Sequence, residues 1–374
     1  MTGTTRNGKH KRPRETDVHV PTGHKEGLRA RVQELFDTLH AGGLDAFLNQ
    51  YESFRHESAS FRLASGVIEL GLPLSHMCRV ILELEQMIGR DGMAEACRAI
   101  LKKVGLQVQR QIAPKVADVL ANGAFLAYGN HTSGVEAIVF DSLFTRSDVY
   151  QIGDANLARI GPNIIKTALL VESVPMRDAY RQRRWYSGVL DAMESFFWPT
   201  VPDPAAVQRN REVLDRAADL IVARGCGVNI YPTGSMRPDA AWRSGLGSLV
   251  RRVLRHPLLR PEQVFLVPIV FGIEFIDTIV TDYYPVYCPA RWVATLLTSF
   301  LSGPTYVFAP LAIPLTDVDI DSAQAPSEIT AYLEDIWNDV LHQAHLKFSG
   351  PGRARISPSK PASCQASAGS SQTQ

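Results

Sequence analysis

Apolar residues follow a helical pattern in the first third of the chain. Between residues 26 and 117 they recur three and four positions apart, which is the spacing of one face of an α-helix. On the first such face these residues are Leu28, Val32, Leu35, Phe36 and Leu39. Glycine-containing breaks at 42–43, 71–73 and 89–92 divide the pattern into several segments. The pattern therefore predicts antiparallel helices that form a small all-helical domain over residues 25–118.

The pattern changes after residue 118. Short apolar runs that are typical of buried strands alternate with helical segments from there to residue 348. The predicted strands lie at residues 124–128, 149–153, 169–174, 227–231 and 264–271. The predicted helices lie at residues 183–197, 203–224 and 327–347. This alternation favours an α/β domain over residues 119–348, with a mixed, largely parallel sheet flanked by helices.

The two ends of the chain differ from both regions. Residues 1–24 are polar and basic, and residues 349–374 are rich in Ser, Pro and Gln, so we expect a disordered arm and a disordered tail. The basic arm lacks the apolar core of a secretory signal peptide. No apolar run is both long enough and free enough of charge to predict a membrane span. We therefore expect a soluble protein or one bound peripherally to a membrane.

Composition narrows the class of protein. Hydrophobic residues make up 45% of the 374 residues and charged residues 21%, which is ordinary for a globular protein. Because 39 Lys and Arg face 38 Asp and Glu, the net charge of +1 gives no reason to expect a nucleic-acid partner. Five scattered cysteines without a Cys-x-x-Cys pair argue against a disulfide or zinc framework and favour the reducing cytoplasm. No metal ion or bound cofactor is predicted.

One stretch stands out as a candidate for chemistry. The predicted strand at 124–128 ends in a short polar turn at 129–134, and a helical pattern begins at Val135. His131 lies in this turn, at the carboxyl edge of the predicted sheet where α/β proteins tend to place their chemistry. An imidazole suits a general base, and the carboxylate of Glu136 can fix its tautomer and stabilise its charged form. The alternative is structural, because Ser133 and Glu136 also match a capping box at a helix N-terminus.

A second candidate follows the predicted strand at 227–231. The sequence Tyr-Pro-Thr-Gly-Ser-Met-Arg occupies residues 231–237. Gly234 allows the backbone to approach a ligand, successive N–H groups from Thr233 to Ser235 can form an anion-binding nest, and Arg237 supplies a positive charge. The alternative interpretation is an ordinary Pro-Gly turn with a solvated arginine.

A third candidate is a basic segment at residues 176–184. Arg177, Arg181 and Arg184 are three or four positions apart and share one face of a predicted helix, an arrangement that suits a phosphate group. The alternative is a helix face exposed to solvent, with no ligand.

Together, and in this order, these segments resemble the motifs of the glycerolipid acyltransferase superfamily. Asn130-His131 with Glu136 is similar to its first motif, 175–184 to its basic second motif, 231–237 to its third, and the apolar segment 267–270 to its fourth. Residues 242–245 resemble the basic, glycine-containing stretch that usually follows the third motif. The resemblance covers residues 119–348, and the helical segment ahead of it is most similar in layout to the soluble plastid-type glycerol-3-phosphate acyltransferases. Two residues depart from the usual pattern, since Glu136 stands for Asp and Thr233 for a carboxylate.

The resemblance implies an O-acyltransferase that uses no bound cofactor. Its co-substrate would be an acyl thioester, either acyl-CoA or an acyl carrier protein, and its acceptor a phosphorylated hydroxyl compound such as glycerol 3-phosphate. His131 is then expected to be the general base and Glu136 the residue that orients it. N–H groups near Gly234 and Ser235 would meet the oxyanion, and Arg237 with Arg177 or Arg181 would hold the phosphate. Two alternatives are an acyltransferase with a specialised acceptor and a catalytically silent module that binds a lipid or carrier.

Overall fold

The computed structural model describes residues 22–71, 74–131, 135–172, 204–233, 241–273 and 305–348. The helices are α1 (Thr22–Glu57), α2 (Ala59–Gly71), α3 (Leu74–Asp91), α4 (Met93–Lys103), α5 (Pro114–Asn122), α6 (Val135–Asp141), α7 (Pro204–Arg224), α8 (Gly245–Leu254) and α9 (Pro326–Phe348). The strands are β1 (Val108–Ile112), β2 (Ala124–Gly129), β3 (Val149–Asp154), β4 (Ala168–Val171), β5 (Gly227–Ile230), β6 (Val264–Ile273), β7 (Thr305–Ala309) and β8 (Ile313–Pro314). Short 3₁₀ helices lie at Ala155–Arg159, Ile164–Thr167, Pro261–Gln263 and Leu315–Asp317.

The strands of the described residues form one eight-stranded sheet. Its order is β1-β7-β6-β2-β5-β3-β4, and β8 adds to β6. All pairs are parallel except those of β6 with β7 and with β8, which are antiparallel. The sheet is therefore mixed and mostly parallel, and β2 lies near its centre between β5 and β6.

Helices cover both faces of the sheet. Because successive side chains of a strand point to opposite faces, Leu126 and Tyr128 of β2 pack on one side, whereas Phe125 and Ala127 pack on the other. The first side is covered by α7, α8 and α9. The second side is covered by α5, α6 and the end of α4. Burial on both faces explains why the central strands are continuously apolar.

The N-terminal helices form a region that begins with α1. α1 bends at Gly43, whose φ of 77° lies in the left-handed region that glycine adopts without strain. Helices α1 to α3 enclose an aromatic cluster in which Phe47, Tyr51, Phe54 and Phe61 are buried. An α/β sheet flanked by helices and preceded by a helical region confirms the predicted fold class.

Several elements differ from the sequence pattern. The segment Val108–Ile112, which falls in the predicted helical domain, is a strand, and α5 packs against the sheet beside it. The helical pattern was misleading there because β1 is an edge strand with polar residues in its middle. β7, β8 and α8 were also not predicted. Four predicted segments lie outside the described residues: the helix at 183–197, residues 173 and 174 of a strand, the arm at 1–21 and the tail at 349–374.

The helical region and the α/β region are joined by contacts of α3 and α4 with α6 and the residues that follow it. Ile138 of α6 packs into the cluster formed by α3 and α4. The guanidinium of Arg98 in α4 donates hydrogen bonds to the carbonyls of Ser142 (3.1 Å) and Phe144 (2.7 Å), just beyond the end of α6. Within the described ranges, no helix is long and apolar enough to cross a lipid bilayer.

A buried carboxylate forms a second contact between the regions. The side chain of Glu85 in α3 accepts hydrogen bonds from the backbone N–H groups of Asn163 (2.5 Å) and Ile164 (2.8 Å). These N–H groups lie at the N-terminus of the short helix Ile164–Thr167, where they have no partner within that helix. Glu85 is only 6% exposed, so these two donors replace hydrogen bonds that its oxygens would otherwise accept from water.

We expect Glu85→Ala to lower the free energy of unfolding by about 2 kcal/mol, because two hydrogen bonds to a buried side chain are lost and two partly buried donors are left unpaired. Glu83→Ala is the matched control on the same helix, since Glu83 pairs with Lys103 at the surface. Its expected cost is below about 1 kcal/mol. Urea unfolding of both variants measures the difference, and equal costs would contradict a special role for Glu85.

Candidate active site

The candidate site is built at the carboxyl end of β2. This strand ends at Gly129, which is paired with Ile269 of β6. A Cβ atom on Gly129 would lie 2.4 Å from the carbonyl oxygen of Ile269, so no larger residue fits without a shift of the backbone. The glycine therefore allows the last residues of β2 to approach β6 closely.

Asn130 continues the pairing between the two strands with its side chain. Its Nδ2 donates a hydrogen bond to the carbonyl of Phe271 (2.7 Å), and its Oδ1 accepts one from the N–H of the same residue (2.9 Å). The two bonds replace the backbone ladder where β2 ends. They hold Asn130, and with it the backbone that leads into His131, at a fixed position at the carboxyl end of β2.

His131 follows directly and faces the acid that the sequence suggests. Its Nδ1 lies 2.5 Å from Oε1 of Glu136, which is the second residue of α6. The side chain of His131 is 22% exposed, whereas that of Glu136 is fully buried. With Nδ1 turned toward the buried carboxylate, we infer that Nδ1 carries the proton and that Nε2, on the other edge of the ring, is free to accept one.

An aromatic ring from the neighbouring strand lies against this histidine. Tyr231 directly follows β5, and its ring stacks on the imidazole of His131 with centroids 4.7 Å apart and an angle of 19° between the planes. The ring of Phe271 lies 6.4 Å from that of Tyr231 at 58°. Tyr231, after β5, thus lies on the imidazole of His131, after β2, and Phe271 of β6 lies against Tyr231.

The hydroxyl of Tyr231 is buried near two acids. Burial, followed by the charges of Glu136 and Asp141, raises the pKa of Tyr231 well above its ordinary value, so the phenol stays protonated. Asn229 lies near enough to oppose part of this shift. Nevertheless, no described residue lies at both the distance and the angle of a hydrogen bond with this hydroxyl.

Asp141 is the last residue of α6 and interacts with Gln151 of β3. Burial of its carboxyl raises the pKa of Asp141 from 3.8 to about 7, and hydrogen bonding with Gln151 opposes the shift. Gln151 in turn donates to the carbonyl of Ala137 (3.0 Å). The Nδ2 of Asn229 lies 3.5 Å from Oε1 of Gln151, at the limit of a hydrogen bond.

The structure places only some of the predicted site residues. His131 and Glu136 meet, and Thr233 is a buried residue two positions beyond Tyr231. The turn that contains Thr233 is held to the start of α8, because the N–H of Arg243 donates to the carbonyl of Pro232 (2.9 Å). The remaining predicted site residues lie outside the described residues: Arg177, Arg181, Gly234, Ser235 and Arg237. Ser133, the predicted partner of Glu136 in a capping box, lies outside them too.

Sequence reasoning missed three contributors to the site. The stacking role of Tyr231 had one available signal, since an aromatic residue directly precedes the proline of the third motif. Phe271 and Asp141 had none, because their roles depend on contacts between elements that are distant in the chain.

We expect the stability of the protein to depend on Asp141 above pH 4. The raised pKa means that the folded state keeps the proton while the unfolded chain loses it near pH 3.8. The contribution of Asp141 is therefore fully present below that pH and is lost as the pH rises through about 7. Asp141→Asn removes this titration. The free energy of unfolding of the variant, minus that of the unmodified protein, should therefore rise with pH by at most about 1.4 kcal/mol per pH unit. This difference should level off above the pKa that Asp141 has in the folded protein.

Urea unfolding between pH 5 and pH 8 measures this difference. Asp148→Asn is the control, because the hydrogen bond from Arg146 lowers the pKa of Asp148 below 3.8 and its titration falls outside this window. The difference between Asp148→Asn and the unmodified protein should stay constant from pH 5 to pH 8. A constant difference for Asp141→Asn as well would contradict the buried carboxyl.

Comparisons with known proteins add no family to this description. No protein-family model matches the chain, and no curated protein matches its sequence. The functional argument therefore depends on the geometry around His131 and on the motifs of the sequence.

Proposed function

We propose that this protein is an O-acyltransferase that moves a fatty acyl group from a thioester to a hydroxyl group. The donor is acyl-CoA or an acylated carrier protein, and the acceptor is glycerol 3-phosphate or a related phosphorylated alcohol. The observation that carries the proposal is the 2.5 Å contact between Nδ1 of His131 and the fully buried carboxylate of Glu136. The order of the four motifs along the chain supports the same class of reaction.

In the proposed reaction His131 is the general base. Its Nε2 takes the proton from the acceptor hydroxyl while that oxygen forms a bond to the thioester carbonyl carbon. The tetrahedral intermediate then collapses, the carbon–sulfur bond breaks, and the leaving thiolate takes the proton from Nε2. Glu136 holds the imidazole in the required tautomer and stabilises the imidazolium that forms between the two steps.

The remaining roles follow from the resemblance. Backbone N–H groups near Gly234 and Ser235 stabilise the oxyanion. Arg237, together with Arg177 or Arg181, holds the acceptor phosphate and brings its hydroxyl to the base. Thr233 stands where many relatives have a carboxylate, so the acceptor is the least specified part of the proposal. The proposed activity belongs to phospholipid biosynthesis in the cytoplasm, with peripheral contact at a membrane surface where the lipid product is used.

We expect His131→Ala to lower kcat/KM by about 100-fold or more, because a positioned general base contributes about 10²- to 10⁴-fold. Glu136→Gln should lower kcat by about tenfold or more while leaving the imidazole in place. Release of free thiol from a panel of acyl thioesters, with and without glycerol 3-phosphate, measures both.

His256→Ala is the matched control for this experiment. His256 also pairs with an acid, since its Nε2 lies 3.1 Å from Oδ1 of Asp219, but it follows α8 away from the β2 end. This variant should retain full turnover. Full activity of His131→Ala would reject the proposed base. Absence of acceptor-dependent release from the unmodified protein with every thioester would reject glycerol 3-phosphate as the acceptor and leave either a specialised acceptor or a silent lipid- or carrier-binding module.

The phosphate role of Arg237 makes a separate prediction. Arg237→Ala should raise the KM for glycerol 3-phosphate by about 10- to 100-fold, the loss expected for a charge-assisted hydrogen bond to phosphate, with a smaller effect on kcat. Arg224→Ala, which removes an exposed arginine at the end of α7, should leave this KM unchanged. Steady-state kinetics with varied acceptor decides the point, and an unchanged KM for Arg237→Ala would remove Arg237 from the site.

A further inference from the structure

A hydrogen bond from Nδ1 to Glu136 does not by itself fix the imidazole of His131. The ring moves by rotation about two side-chain bonds, and the contact of Nδ1 at 2.5 Å from Oε1 holds only one ring atom against a rotation that would swing it away from the carboxylate. Such a rotation would move Nε2, on the opposite edge of the ring, away from the hydroxyl that it must deprotonate. A base is effective only where its nitrogen stays within hydrogen-bond reach of that proton. A second constraint on the plane of the ring is therefore needed.

The ring of Tyr231 supplies this second constraint. It lies nearly parallel to the imidazole, at 19°, and the centroid distance of 4.7 Å is within the range of stacked aromatic pairs. Contact over a whole ring face resists the rotation that a single hydrogen bond permits. The stacked ring and the Glu136 carboxylate restrain different motions, so together they define the direction of Nε2.

Tyr231 is itself held in place. The residue is only 8% exposed and directly follows β5, which is paired on both sides with β2 and β3. The ring of Phe271 lies against it at 6.4 Å. The backbone of Phe271 also forms hydrogen bonds with the side chain of Asn130. The same residue of β6 therefore contacts Tyr231 and holds the residue that precedes His131.

We propose that Tyr231 is a positioning residue for His131, and that its stacked ring, not its hydroxyl, sets the plane of the imidazole. This proposal rests on the proposed acyltransferase function as far as turnover is concerned, but the geometry of the imidazole is measurable without a substrate. Tyr231 acts through His131 and does not take part in the proton transfer.

The surroundings of the hydroxyl support the emphasis on the ring. The Tyr231 Oη atom is buried and has no hydrogen-bond partner among the described residues. Its phenol stays protonated because burial and the nearby acids raise its pKa. Because the hydroxyl forms no hydrogen bond of good geometry with a described residue, its removal should cost little stability, and Tyr231→Phe should fold and stack as the tyrosine does.

The test compares variants that keep the ring with variants that lose it. Tyr231→Phe keeps the aromatic face. Tyr231→Met fills the space with a flexible apolar chain and removes that face, and Tyr231→Leu is a second ring-free variant in case the methionine variant does not fold. Phe308→Leu is the control for loss of a buried aromatic ring, because Phe308 lies in β7 and its ring packs against Phe348.

Two measurements are made on each variant. The first is kcat and KM for thioester and acceptor. The second is the ¹⁵N spectrum of the imidazoles in protein labelled at histidine, recorded at pH 8.5, where an ordinary imidazole is neutral. The His131 signals are identified by their absence from His131→Ala. A spectrum with the proton on Nδ1 alone reports a ring that stays against Glu136, and averaged signals of the two nitrogens report a ring that turns away from this carboxylate and exchanges tautomers.

We expect Tyr231→Phe to keep kcat within about twofold and to keep the single tautomer. The ring-free variants should lose about 10- to 100-fold in kcat, the effect expected of a misplaced catalytic group, with KM changed far less. Their His131 signals should average, whereas Phe308→Leu should lower the melting temperature and leave kcat and the His131 signals unchanged.

Other results overturn the proposal. Unchanged His131 signals in a folded ring-free variant would show that Glu136 alone fixes the imidazole. An equal loss of kcat in Tyr231→Phe and the ring-free variants would assign the role to the hydroxyl. If the unmodified protein transfers no acyl group, the proposed function fails, and the ¹⁵N spectra alone then decide the role of Tyr231.

Discussion

The arrangement of the candidate site depends on one buried charge, the carboxylate of Glu136. A carboxylate removed from water is strongly destabilising unless it is paired and hydrogen-bonded, and the imidazole of His131 provides such a partner at 2.5 Å. The pairing links the end of β2 to the start of α6. It also occupies Nδ1 of the imidazole and leaves Nε2 as the nitrogen that a general base would use.

The helical region packs against the helix that carries this carboxylate. Ile138, two residues after Glu136 in α6, packs both against the sheet and against the cluster of α3 and α4. Arg98 binds the carbonyls just beyond α6, and Glu85 binds the backbone at Asn163 and Ile164. These contacts hold the N-terminal helices against the side of the sheet that carries α6. A region whose sequence pattern predicts a separate packing domain is thus in contact with the helix that carries the acid of the site.

The sheet supplies the rigidity. Parallel strands bring their carboxyl ends to one edge, and here the ends of β2 and β5 lie side by side with β6 continuing past them. Asn130, Tyr231 and Phe271 come from three different strands, yet each contacts another of the group or His131 itself. Phe271 lies within the backbone ladder, and Asn130 and Tyr231 each closely follow the paired end of a strand, so the imidazole is restrained by elements that resist small rearrangements.

The sequence by itself determined the class of fold, most of the central strands and the pairing of His131 with Glu136. Those features depend on local periodicity and short spacing, which a chain carries without reference to its tertiary contacts. It did not determine that Val108–Ile112 is a strand, because an edge strand with polar residues lacks the apolar run of a central one. Nor did it reveal that the side chain of Asn130 forms a hydrogen bond with the backbone of Phe271, 141 positions later, or that Tyr231 stacks on His131. Only the tertiary structure decided these contacts, since they form between strands that become neighbours through the order of the sheet.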